Sequence, residues 1–109
     1  MNLSQERSGN YLVVEINESR VDSTNFTRLE SSLCELIEGG EKNLIINLSQ
    51  VFFMDSSGIA GLLPSVKSLA EDGSLFLVGL TSTVLQLFNL GKLDTIFEIY
   101  PSVEEVLES

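Results

Sequence analysis

The chain has 109 residues, the length of one domain, so we expect a single domain over residues 1–109. Sixteen acidic residues against six basic ones give a net charge of -10, the wrong sign for binding nucleic acid or an anionic membrane surface. Histidine is absent and Cys34 is the only cysteine, which excludes a Ser-His-Asp triad, a Cys-His dyad and a Cys/His zinc site. These absences exclude most hydrolase chemistry. Four aspartates could bind a divalent metal in principle, but their spacing does not group them on one helix face, so we expect a protein that is not an enzyme and binds no metal; they are Asp22, Asp55, Asp72 and Asp94.

Cysteine usage and the N-terminal residues indicate the compartment. A single thiol cannot form an internal disulfide, and the first residues lack the apolar stretch of a signal peptide. The densest apolar run, residues 75–80, is far shorter than the ~20 residues that span a bilayer. These features predict a cytoplasmic protein. Cys34 lies beside Leu33 in a predicted helix, where we expect a small packed residue rather than a reactive thiol.

The first half of the chain alternates between strand and helix patterns. Residues 11–16 are rich in β-branched and aromatic side chains and follow a turn at residues 8–10, which predicts an N-terminal hairpin. Residues 22–25 are of the kinds that begin helices, and Gly39 and Gly40 end the helical pattern. The apolar positions of this helix are Phe26, Leu29, Leu33, Leu36 and Ile37. The apolar residues of 43–48 are nearly continuous, as expected of a central strand covered on both faces.

The second half continues the alternation. A helical stripe starts at Ile59, and Pro64 inside it predicts a kink or a loosened turn. Residues 74–79 form a strand pattern, a third helix begins at residues 81–83, and residues 95–100 form a short edge strand. Two pairs have capping-box spacing: Thr83 with Gln86, and Ser102 with Glu105 before the last helix. The order ββαβαβαβα predicts an α/β fold with a mixed, mostly parallel central sheet and helices packed against it.

The turn between Met54 and Ile59 is the one place with candidate chemistry. A strand-to-helix junction leaves backbone N–H groups without intrahelical partners, and such groups favour anions. Ser56 and Ser57 place hydroxyls there, and Gly58 permits close approach of the backbone, so a phosphoryl group on serine is locally accommodated. Asp55 opposes the added charge. The tetrapeptide is also an ordinary helix-cap composition, and on spacing alone the cap is the favoured interpretation.

Residues 43–63, with this turn inside them, resemble the signature stretch of STAS domains, specifically bacterial anti-sigma-factor antagonists. Residues 84–99 resemble the third helix and following strand of that family, and the order of elements agrees over essentially the full chain. The resemblance implies a partner switch, in which the unmodified protein binds a GHKL-type serine kinase that doubles as an anti-sigma factor and releases the sigma factor. It also implies that phosphorylation abolishes the binding and that a PP2C-type phosphatase reverses it.

The resemblance carries the phosphorylated serine over to Ser56 and the motif aspartate to Asp55, and it implies no cofactor for this chain. Residues 19–22 read Ser-Arg-Val-Asp where the family often has Gly-Glu-Leu-Asp, so only Asp22 matches cleanly. Asp22 either lies near the turn and contacts the kinase or caps the first helix. The predicted partner-binding residues are Asp22, Asp55, Ser56, Ser57, Gly58 and Ile59.

A different function remains open at this stage. The chain is also compatible with a non-phosphorylated STAS binding module, for instance an accessory subunit of a transporter complex, in which the same turn packs against a partner. Its acidic surface and modest aromatic content fit a monomer or a weak dimer.

Overall fold

A computed structural model describes all 109 residues. Seven strands and four helices follow one another along the chain, with one 3-10 turn at Leu93–Thr95. In chain order they are β1 (Leu3–Ser8), β2 (Tyr11–Ile16), β3 (Arg20–Val21), α1 (Phe26–Glu38), β4 (Asn43–Asn47), β5 (Phe53–Met54), α2 (Ser56–Leu69), β6 (Ser74–Val78), α3 (Ser82–Leu90), β7 (Glu98–Tyr100) and α4 (Val103–Glu108).

Five of the strands form the central sheet, in the order β1-β2-β4-β6-β7. β1 is antiparallel to β2, and the other three pairings are parallel. The predicted mixed, mostly parallel sheet with an antiparallel edge is therefore confirmed. β4 lies in the middle, and its three apolar residues are fully buried because both faces of the sheet are covered there.

The two faces of the sheet are covered unequally. One face packs against α1, α2 and α3 in the larger of two apolar clusters, whose helical members include Leu29, Leu62 and Phe88. The other face carries a four-residue cluster under the short helix α4. Its members are Val13, Ile45, Val78 and Val106. Because side chains alternate along a strand, neighbouring residues of β2, β4 and β6 belong to opposite clusters.

Two predictions about helix starts and turns have different outcomes. Ser102 caps α4, since its hydroxyl oxygen accepts a hydrogen bond from the Glu105 N–H at 3.3 Å. The capping box at Thr83 is wrong, because the N-cap residue of α3 is Thr81, two residues earlier, and the helix begins at Ser82. The Thr81 hydroxyl instead donates to the Val51 carbonyl at 2.8 Å, which ties α3 to the chain segment before β5.

The structure also bears on the predictions for Pro64 and Cys34. α2 runs without interruption through Pro64, and the buried Ser65 hydroxyl donates to the Leu62 carbonyl at 2.6 Å. Cys34 is exposed, so the prediction of a packed residue is wrong. Its thiol donates to the Glu38 carboxylate at 3.5 Å, and that bond together with nearby negative charges raises the pKa of the Cys34 thiol. The thiolate, which is the reactive form, is thereby disfavoured.

Candidate functional site

A two-stranded parallel ladder, formed by β3 and β5, builds the base of the candidate site. Sequence analysis did not predict this ladder, because each strand has only two residues. Arg20 pairs with Phe53 and Val21 with Met54. Just before the ladder, the Ser19 carbonyl accepts hydrogen bonds from the N–H groups of residues 52 and 53, at 2.9 and 3.2 Å. Because the strands are parallel and in register, Asp22 and Asp55 both follow directly at the same end.

Gly58 allows the first turn of α2 to pack directly on this ladder. A Cβ atom at this position would lie 2.6 Å from the Val21 carbonyl oxygen and 2.6 Å from Cγ of Met54. Sequence analysis assigned the small size of Gly58 to close approach at an anion site. The structure shows that the close approach is to the chain's own strands, and it fixes where α2 starts.

Asp55 is the N-cap residue of α2. Its Oδ1 atom accepts hydrogen bonds from the Ser57 N–H at 2.9 Å and from the Gly58 N–H at 3.2 Å. These are two of the N–H groups that sequence analysis offered to an incoming anion, so the anion position at this helix start is filled by the Asp55 carboxylate. The cap interpretation of the tetrapeptide is confirmed. A phosphoryl group added here does not find these donors free.

The three remaining residues of the turn differ in exposure. Ser56 is exposed at the first position of α2, whereas Ser57 is half-buried. Ile59 is also half-buried and packs against the larger apolar cluster. The turn therefore presents Ser56 to solvent, and Ile59 serves largely to hold α2 on the core.

Asp22 lies at the start of the turn that leads into α1. It is 8% exposed, and its Oδ1 atom accepts hydrogen bonds from the N–H of Thr24 at 3.0 Å and from the Thr24 hydroxyl at 2.5 Å. These hydrogen bonds lower the pKa of the Asp22 carboxyl, and Arg20 lowers it further. The prediction that Asp22 caps α1 is wrong, because the N-cap residue is Asn25 and the Asp22 side chain instead stabilises the turn before it. The ladder register places Asp22 beside Asp55, where the Ser56 turn starts.

Two consecutive phenylalanines, Phe52 and Phe53, are both exposed, which the sequence pattern did not indicate; they are called the aromatic patch below. Their exposed fractions are 64% and 39%. The Arg20 guanidinium lies over the Phe53 ring, with its Cζ atom 4.3 Å from the ring centroid. The sequence offered one indication of this exposure: the two phenylalanines lie in a segment that was not assigned to any strand of the predicted sheet. Phe53 lies three residues before Ser56 in the chain, in the strand that leads into the Ser56 turn.

The cavities of the molecule lie away from the predicted site residues. The largest cavity, about 570 Å³, lies between the N-terminal strands and α4, and none of the predicted site residues line it. No group of three or more acidic or thiol side chains is placed to hold a metal ion. None of the helices has the length and apolar character that crossing a bilayer requires.

Comparisons with known proteins agree with this architecture. The chain is 25% identical over 85 residues to the anti-sigma-B factor antagonist of Staphylococcus aureus, which is 77% of this chain and 79% of that protein. Among solved structures, an anti-sigma factor antagonist from Mycobacterium paratuberculosis has a TM-score of 0.88 at 22% identity, covering 98% of this chain and 91% of the other. The phosphorylated form of the Bacillus cell fate determinant SpoIIAA has a TM-score of 0.70 at 21% identity, covering 98% and 97%.

The sequence profile of one family accounts for nearly the whole chain. It is the profile of the STAS domain, and it matches residues 2–106, from the residue before β1 into α4. The match therefore includes the central sheet, the β3–β5 ladder and the Ser56 turn. The chain belongs to the STAS domain family.

Proposed function

We propose that this protein is an anti-sigma-factor antagonist controlled by phosphorylation of Ser56. In this proposal the unmodified form binds a GHKL-type serine kinase that is also the anti-sigma factor, and the sigma factor is released. The kinase phosphorylates Ser56 and thereby ends the interaction, and a PP2C-type phosphatase restores the active form. The circuit operates in the cytoplasm. Relatives named as anti-sigma-factor antagonists support this assignment, and one structural relative is described in a phosphorylated form.

The observation that carries the proposal is the exposure of Ser56 beside a filled helix cap. Phosphorylation adds about -1.5 to -2 charges. Because Asp55 already occupies the N–H groups of Ser57 and Gly58, the start of α2 does not absorb this charge. The added charge stays on the surface, next to two carboxylates and the aromatic patch. A partner surface that fits a neutral hydroxyl beside Phe52 and Phe53 then loses its complementarity.

The chain supplies only the acceptor hydroxyl in this reaction. The Ser56 Oγ atom attacks the γ-phosphorus of ATP, the bond to the leaving ADP breaks, and a base of the kinase takes the hydroxyl proton. Asp55 and Asp22 each use Oδ1 to hold the backbone next to the turn, and the chain has no Gly-rich phosphate-binding loop that ends in Lys-Ser or Lys-Thr. Nucleotide binding and catalysis therefore belong to the kinase.

Phosphate incorporation by the kinase and ATP tests the site. We expect one phosphate per chain in the unchanged protein and in Ser57→Ala, and none in Ser56→Ala. Ser57→Ala is the matched control, because it removes the neighbouring hydroxyl of the same helix turn. Stoichiometric phosphate on Ser56→Ala would overturn the assignment. We also expect Ser56→Asp to bind the kinase more weakly, although one carboxylate has less charge than a phosphate.

Intact-mass measurement of the protein isolated from cells tests the biological claim. A population that carries one additional phosphate supports the proposal. A protein that is unmodified in every growth condition, and that copurifies with the ATPase of a transport complex, would instead identify a non-phosphorylated accessory subunit.

A further inference from the structure

Arg20 is the only basic residue in the β3–β5 ladder and the Ser56 turn. Of the other five basic residues, Arg7 pairs with Glu41 and Lys42 with Asp72. Arg28 lies in the first turn of α1, and Lys92 follows α3. Lys67 lies in the last turn of α2, at the opposite end from Ser56. Arg20 is therefore the one positively charged side chain of the ladder and the turn that can compensate a phosphate on Ser56.

The Arg20 side chain has donors to spare. It is 62% exposed, and its Nε–H donates to Oδ2 of Asp22 at 3.3 Å. A guanidinium has five N–H donors in a planar fork that matches phosphate geometry, and the four on the two Nη atoms have no acceptor in this chain. The contact with the Phe53 ring holds the guanidinium over β5, the strand that leads directly into the Ser56 turn.

The other groups around Ser56 do not favour a phosphate. The Ser57 and Gly58 N–H groups are bonded to Asp55, and the carboxylates of Asp55 and Asp22 repel a second anion. Ser56 is the first residue of α2 and lies three residues after Phe53, which pairs with Arg20 across the ladder. At about 3.3 Å per residue and about 4.8 Å between strands, an extended arginine and a phosphoserine span this separation together.

We propose that Arg20 binds the phosphoryl group of phosphorylated Ser56 and leaves the Phe53 ring to do so. This inference rests on the proposed function in taking Ser56 as the phosphorylated residue. Phosphorylation then changes the partner surface in two ways: it adds negative charge at Ser56, and it uncovers the face of Phe53 that the guanidinium covers in the unmodified protein.

A titration that needs no kinase tests this role. Phosphoserine is incorporated at position 56 by genetic encoding, and its second ionisation is followed by phosphorus NMR against pH. In the otherwise unchanged protein, Arg20 favours the dianion, so the midpoint lies lower than in Arg20→Ala, by about half a pH unit. Arg20→Lys, which keeps the charge but loses the fork, gives an intermediate midpoint.

Lys67→Ala is the control for loss of one positive charge. Lys67 is eleven residues along α2 from Ser56, about 16 Å at 1.5 Å per residue, which exceeds the screening length at physiological salt. We expect its midpoint to match that of the unchanged protein. Equal midpoints for Arg20→Ala and the unchanged protein would overturn the role of Arg20, whether or not a kinase phosphorylates Ser56.

Proton NMR of the same samples tests the movement. The Arg20 Cζ atom lies 4.3 Å from the centroid of the Phe53 ring, so we expect the ring current to shift the Cδ protons of Arg20 in the unmodified protein. We expect phosphoserine at position 56 to remove most of that shift. A shift that persists after phosphorylation would show that the guanidinium stays on the ring, and the proposed movement would be wrong.

Discussion

Replacing Gly58 with alanine tests how the candidate site is built. The new Cβ atom would lie 2.6 Å from the Val21 carbonyl oxygen and 2.6 Å from Cγ of Met54. The Met54 side chain can rotate away, but the Val21 oxygen belongs to the backbone of β3. Relief therefore requires that the first turn of α2 and the β3–β5 ladder move apart.

The expected cost follows from two opposing effects. Alanine is the better helix former by about 1 kcal/mol. Overpacking of a well-packed contact costs about 1–3 kcal/mol, and we take the upper end because a backbone atom is involved. We expect a net loss of about 2 kcal/mol in the free energy of unfolding. In a domain of this size, the loss lowers the melting temperature by roughly 10 °C.

Urea denaturation of Gly58→Ala measures this loss, with Gly91→Ala as the matched control. Gly91 ends α3 with φ of -85°, and a Cβ atom there would lie 3.4 Å from its nearest neighbour, Cγ of Leu93, which is an ordinary contact. We expect the control to lie within about 0.5 kcal/mol of the unchanged protein. If Gly58→Ala is as stable as the control, the close contact between Gly58 and the β3–β5 ladder is not what fixes the position of α2.

Three further predictions concern the cap, the acid response and the aromatic patch. Asp55→Ala is expected to lower the free energy of unfolding by about 1 kcal/mol, because the helix cap is lost. Asp55→Asn should lower it less, because the asparagine side-chain oxygen also accepts hydrogen bonds at an N-cap position. Equal melting temperatures for the unchanged protein and both variants would contradict the role of Asp55 as the cap. Folding lowers the pKa of the Asp22 carboxyl, so the ionised carboxylate stabilises the folded protein. This stabilisation is complete above the pKa of an aspartate in the unfolded chain, about 3.9, and is lost as the pH falls through the lower pKa of the folded state. In urea denaturation, the stability difference between the unchanged protein and Asp22→Asn should therefore be constant above about pH 5 and shrink in acid; a difference independent of pH would contradict this. Phe52→Ser is expected to leave the melting temperature within about 2 °C, since Phe52 is exposed, while weakening kinase binding; unchanged binding would remove Phe52 from the partner surface.

Long, strongly patterned elements were predictable from the sequence. The apolar run that became β4 is continuous because both faces of the sheet are covered, and the stripe of α1 follows the helical period over thirteen residues. The mixed sheet then follows from the alternation of strands and helices. Thr83 failed as a helix cap because a tertiary contact decided the start of α3: Thr81 reaches the Val51 carbonyl, thirty residues earlier in the chain.

The candidate site was predictable only in part. The position of Ser56 after Asp55 and at a helix start could be derived from local pattern alone. The β3–β5 ladder could not, because two-residue strands have no period and their pairing joins segments more than thirty residues apart. The consequences of that ladder were therefore missed as well, namely the exposed aromatic patch and the position of Arg20 over Phe53.

The ladder also explains how one small group at Ser56 can change a larger surface. Gly58 seats α2 on the ladder, Asp55 caps the helix, and Asp22 holds the adjoining turn at the same end. These contacts hold the backbone around Ser56, so phosphorylation does not need to rearrange the fold to be detected by a partner. Of the charged side chains in the ladder and the turn, Arg20 is the exposed one with unused donors, and its movement is what would extend the change from Ser56 to the aromatic patch.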